Sequence, residues 1–119
     1  MNVQEMINQI KDHPDYHKAG MILCHNGVVR ATSREGEEVT GMKVTVNHKR
    51  LKEIVDAQKN RPGIVDVIVE IVEEKELQVG DDVMCIVVGG DIRENVIATL
   101  TETLNQIKAD VTSKTQFFK

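Results

Sequence analysis

Two short, almost unbroken apolar runs constrain this chain more than any other feature: residues 64–72 (IVDVIVEIV) and residues 83–88 (VMCIVV). Both are far too short to cross a membrane as helices. Both are rich in β-branched residues, which fit a pleated surface better than a helix. They therefore read as strands. The first is broken only by Asp66 and Glu70, so its sheet is expected to be covered on at least one face. Gly80, Asp81 and Asp82 form the turn that leads into the second. With 3% aromatic residues and no Trp, the core must be built from Val, Ile, Leu and Met.

Around these strands the periodicity changes. Val3, Met6, Ile7 and Ile10 recur at one-turn spacing, predicting an amphipathic helix over residues 2–13 that Pro14 ends. Residues 20–30 (GMILCHNGVVR) predict a strand in which Gly27 marks a bulge or a close approach to the backbone. Residues 31–39 form a polar loop around Gly36, and residues 42–46 alternate as a strand. Leu51, Ile54 and Val55 predict a helix over 48–60, stopped by Arg61-Pro62-Gly63. The last helix carries Val96, Ile97, Leu100, Leu104 and Ile107 on one face, with Asp91 as its cap, and runs to about residue 109. The tail VTSKTQFFK is assigned no element. The order helix, strand, strand, helix, strand, strand, helix predicts one α+β domain over residues 1–119, with helices packed on a mostly antiparallel sheet.

Several kinds of chemistry find no support. The formal charge of −4 argues against a general nucleic-acid binder, and no run has membrane-spanning length. No basic start followed by an apolar stretch suggests a signal peptide, and a cytoplasmic location is expected. Cys24 and Cys85 lie in apolar runs and read as buried free thiols rather than as nucleophiles or a disulfide. His13 and His17 have helical spacing, but Pro14 stands between them, while His25 and His48 are isolated, so no metal site is expected. Gly89-Gly90 before a helix could hold an anion, yet two glycines alone more often make a tight strand-to-helix connection. What remains is cationic: Arg30, Arg93, Lys108, Lys114 and Lys119.

These residues gain meaning from a resemblance that spans nearly the whole chain. The glycine-led strand 20–30 ending in Val-Arg resembles the opening of the large subunit of molybdopterin synthase. The loop with Gly36, the helix KRLKEIVDAQKNRPG, the strand IVDVIVEIV and KELQVGDD before VMCIVV follow in the family's order. The last helix opens with Arg93 and reaches Lys108, and Phe117-Phe118-Lys119 is similar to the family's aromatic-aromatic-Lys close. The pattern is distributed, and no single motif in it is diagnostic.

The resemblance implies an α/β-hammerhead fold and a role in molybdenum cofactor biosynthesis. In that family a ubiquitin-like small subunit carries a thiocarboxylate on its C-terminal Gly-Gly. Its sulfur passes to cyclic pyranopterin monophosphate, giving molybdopterin, with neither a metal nor a further cofactor. By resemblance Arg30 and Arg93 hold the precursor, since a guanidinium fork matches phosphate oxygens. Lys108 is catalytic, and Lys114 and Lys119 compete for the second lysine's place; the Phe-Phe-Lys context favours Lys119 as the second catalytic residue, which leaves Lys114 to bind substrate. Arg93 and Lys108 lie roughly 22 Å apart along one helix, so a shared site needs a homodimer in which the neighbour supplies Arg93. The chain departs from the family at Ile92, where a His is usual, and at Val72 and Glu73, where a His-Arg pair is usual. Those departures keep open a second reading, a non-catalytic relative that binds a ubiquitin-like partner or an anionic ligand. A third is a dimeric scaffold alike only in architecture.

Overall fold

A computed structural model describes Met1–Lys119. Helix α1 (Val3–Lys11) is capped by Asn2, whose side chain accepts from the Glu5 amide at 3.2 Å. It stops short of Pro14 and is followed by a single 3-10 turn at Tyr16–Lys18. Strand β1 (Met21–Val28) ends two residues before Arg30, at a shift in register between Gly27 and Val28. The irregularity falls beside Gly27, but the extra residue is Val83 of the opposite strand, skipped between the pairs Gly27–Met84 and Val28–Asp82.

The loop that follows folds back on itself. Thr32 bridges to Glu38, and the Ser33 hydroxyl accepts from the Glu37 amide at 3.1 Å. Strand β2 (Val39–Val46) then leads to helix α2 (His48–Lys59), whose cap Asn47 accepts from the Arg50 amide. Strand β3 (Ile64–Ile71), the two-residue strand β4 (Leu77–Gln78) and strand β5 (Asp82–Gly90) precede helix α3 (Arg93–Asp110). The tail forms strand β6 (Thr112–Phe118).

The six strands make two antiparallel sheets instead of one, in the orders β1-β5-β3 and β4-β2-β6. The fold is α+β, as expected, with β5 at its centre. Met84, Ile86 and Val88 point to one side of the first sheet and meet Ile54 of α2 and Val96 and Ile107 of α3. Cys85 and Val87 point to the other and meet Met6 and Ile10 of α1. Helices on both faces explain why the run VMCIVV never alternates with polar residues.

Four expectations need correction. The tail is a strand, because main-chain pairing with β2 from Val39 to Val46 gives its polar residues a ladder that hydrophobic pattern cannot reveal. Cys24 is exposed, since β1 is an edge strand and α1 lies over the β5 side of that face, whereas Cys85 is buried. Ile97 is 49% exposed, and the buried stripe of α3 runs through Val96, Thr99, Thr103 and Ile107, one position round the helix. Finally, the cap of α3 is Ile92. Asp91 stands one residue earlier, accepting from the Ile92 amide at 2.6 Å and the Asn95 side-chain amide at 2.9 Å.

Gly89 and Gly90 belong to β5 and are buried. A Cβ at Gly89 would stand 2.7 Å from Ile10 Cγ2, and one at Gly90 would stand 2.8 Å from Val96 Cγ2. Their role is close helix packing rather than anion binding.

Candidate functional site

At the seam between the two sheets lies a groove of about 440 Å³. Its apolar floor comes from Met42 and Val44 of β2 and from Val83 and Met84 of β5. Its walls carry Arg30, Arg34, Lys108, Lys114 and His25, and no carboxylate lines it.

Each cation is placed by a local feature. Just past the register shift at Gly27/Val28, Val29 is buried and Arg30 lines the groove. The Arg30 Nε donates to the Thr32 carbonyl at 2.7 Å, which holds the side chain along the folded loop. Arg34 stands near the tip of that loop. Lys108 occupies the last turn of α3, directly after Ile107, which is fully buried and pins that turn to the sheet. Lys114 lies on β6 opposite Val44. Strand alternation sends Thr112, Lys114 and Gln116 to the groove and the residues between them away from it.

The electrostatics are one-sided. Arg30, Arg34, Lys108 and Lys114 make no ion pair, although ion pairs occupy many other cations of the chain. Four unpaired cations thus converge in a groove on a chain whose formal charge is −4. Low-dielectric walls around charge of one sign focus the field and favour an anionic ligand. Burial, and secondarily the charge of Lys108, holds the His25 imidazole below its ordinary range. Burial raises the Cys85 thiol, and partial desolvation by its neighbours raises that of Cys24 although it is exposed, so neither is a ready nucleophile near neutral pH.

Of the five cations singled out from the sequence, the groove gathers Arg30, Lys108 and Lys114. Arg93 lies at the opposite end of α3, largely exposed, with its Nε 3.1 Å from Glu94 Oε1. Lys119 is outside the groove as well: it follows the strand in the outward phase, and its Nζ is 3.7 Å from Glu38 Oε2. Geometry within one chain therefore favours Lys114 over Lys119. Glu73 is engaged elsewhere, with its Oε1 2.7 Å from His48 Nε2.

Two groove residues escaped the sequence reading. Period-two alternation through Leu23, His25 and Gly27 could have placed His25 on the inward side of β1. For Arg34 no such signal exists, because a loop residue's direction depends on how the loop closes.

A family model described as MoaE protein matches residues 1–110. The chain belongs to the MoaE protein family. No curated protein sequence matches it. Among solved structures, molybdopterin synthase from Staphylococcus aureus superposes with a TM-score of 0.79 at 17% identity, covering 100% of this chain and 86% of that one. The molybdopterin cofactor biosynthesis protein E of Burkholderia multivorans gives 0.77 at 20% identity, covering 100% and 82%. A chain from the complex of subunits 1 and 2 of the molybdopterin-converting factor of Helicobacter pylori gives 0.74 at 15% identity, covering 99% and 80%. The MoaE architecture thus persists at identities where individual site residues cannot be assumed to persist.

Proposed function

We propose that this MoaE-family chain is the large subunit of molybdopterin synthase, taking part in molybdenum cofactor biosynthesis by sulfur transfer. The observation that carries the reading is the groove with four unpaired cations and no carboxylate. In this reading a ubiquitin-like small subunit threads its C-terminal Gly-Gly into the groove. Sulfur passes from the terminal thiocarboxylate to cyclic pyranopterin monophosphate. The planar fork of Arg30 suits the precursor's phosphate. The ammonium of Lys108 meets the thiocarboxylate and stabilises negative charge that grows during transfer, and Lys114 is the second lysine beside it. The partner assignment follows the family and the two-subunit factor of Helicobacter pylori.

Arg93 enters this scheme only from a second copy. We therefore assign the protein as a cytoplasmic homodimer in which each groove receives Arg93 from the neighbour, where it exchanges Glu94 for the ligand's phosphate. Sedimentation of the purified chain tests this directly, and a monomer at working concentration removes Arg93 from the site.

The deciding assay combines the chain with a thiocarboxylated small subunit and the pterin precursor and measures dithiolene formation. Lys108→Ala is expected to reduce turnover by roughly 10²–10³-fold, the usual cost of losing one charge-stabilising group. Its circular dichroism should stay unchanged. Ile92, Val72 and Glu73, which stand where the family usually has His and a His-Arg pair, favour one other reading: a relative that binds the small subunit without chemistry. Tight partner binding with no turnover by the unaltered protein would establish that second reading.

A further inference from the structure

His25 is the one group lining the groove whose ordinary titration lies near neutral pH. It stands on β1 opposite Ile86 of β5, which in turn lies opposite Val69 of β3. The sheet therefore gives the imidazole apolar neighbours on that face. The charged groups that the other elements bring to the groove are all cations: Lys108 from α3, Lys114 from β6, and Arg30 and Arg34 from the loop after β1. Asp82, at the start of β5, is bound by the Asn26 side-chain amide at 3.2 Å. Asn26 follows His25 directly, so it projects from the opposite face.

Other histidines have different surroundings. His48 has Glu73 at 2.7 Å, and His13 accepts from the Asp15 amide at 3.0 Å. Unlike those two, His25 lies among positive charges and apolar side chains. In the empty groove, burial and the Lys108 charge both disfavour its protonated form. A doubly negative ligand among the same residues offsets part of that positive field and favours the protonated imidazole.

We propose that His25 is the proton-accepting member of the anion site: neutral while the groove is empty, it takes up one proton as a divalent oxyanion enters and becomes a fifth cation around the ligand. The inference rests on the reading of the groove as a site for a phosphate-bearing molecule and adds a linked proton to it. His25 is here a positioning residue, bringing charge to the anion without reacting.

Linkage sets the sign. At low pH His25 is charged with or without ligand, and affinity is greatest. Between the titration of the empty and the occupied groove, affinity falls by up to ~10-fold per pH unit. Above that window His25 is neutral in both states and affinity is flat.

Sulfate is the probe, because it keeps two charges throughout the range from about pH 5 to about pH 8 in which histidines titrate. The full chain is titrated at constant ionic strength, following the histidine ring protons by NMR and the binding constant by calorimetry. The expected result is an upward move of the His25 midpoint with sulfate, with His13, His17 and His48 unmoved, and an affinity that weakens as pH rises. His25→Gln should bind sulfate with no such pH dependence. Should that variant misfold, the ring titration of the unaltered chain decides alone. A stationary His25 midpoint, or an undiminished pH slope in His25→Gln, overturns the inference while leaving the anion site in place. Absence of sulfate from the groove overturns both. Full linkage without dithiolene formation removes the synthase reading and leaves the proton-coupled site standing.

Discussion

Single residues around the last turn before α3 carry much of the local order. Gly63 adopts φ +80°, and a Cβ there would meet the Asp91 carboxylate and the Asn95 amide. Gly63→Ala combines left-handed strain with that collision, so it should cost about 1–3 kcal/mol, read as a lower midpoint in urea. Asp91 itself is held below the usual carboxylate range, first by the Asn95 amide and then by the Ile92 amide. A depressed carboxylate adds stability above its unfolded pKa of about 3.9, and that contribution is lost as pH falls through the folded value. Asp91→Asn should therefore flatten the acid-side decline of the melting temperature. Thr99 offers the opposite case: its hydroxyl is fully buried and has no partner. Thr99→Val keeps the shape, removes that orphan, and should raise stability by about 1 kcal/mol in the same denaturant titration. Residue-scale detail of this kind was only partly legible beforehand. Arg30 and Lys108 could be found because the family pattern marks them. Cys24 could not be ranked as open or enclosed until the edge position of β1 was known.

At the scale of elements, legibility tracked how strongly each segment expresses its period. The strand at β3, the strand at β5 and the helix at α2 lie within two residues of their sequence bounds, because long apolar runs and clear stop signals define them. β6 was invisible because TSKTQFF has no buried face of its own and is held chiefly by its ladder to β2. The division into two sheets was equally hidden, since nothing local says which strands pair. The turn joining α3 to β6 is where element and site meet. Ile107 is completely buried there and Lys108 follows it, so the packing of one side chain aims the other. Ile107→Ala should destabilise by about 2–5 kcal/mol in thermal or denaturant unfolding, and should weaken anion binding more than an equally destabilising change in α1 does.

For the molecule as a whole, charge is distributed against its average. A net −4 surrounds a groove whose only charged lining residues are cations, so encounter with an anionic ligand depends on short-range focusing rather than on overall attraction. Raising ionic strength from about 0.01 M to about 0.1 M shortens the screening length from about 30 Å to about 10 Å. Sulfate affinity should fall over that range while stability in the absence of ligand changes little. The groove is also lined from both sheets: Met84 belongs to one, Val44 and Lys114 to the other, and Lys108 to α3. A molecule seated there would act as a rivet through separately laddered layers, so occupancy should slow their parting and make proteases wait for both to open together.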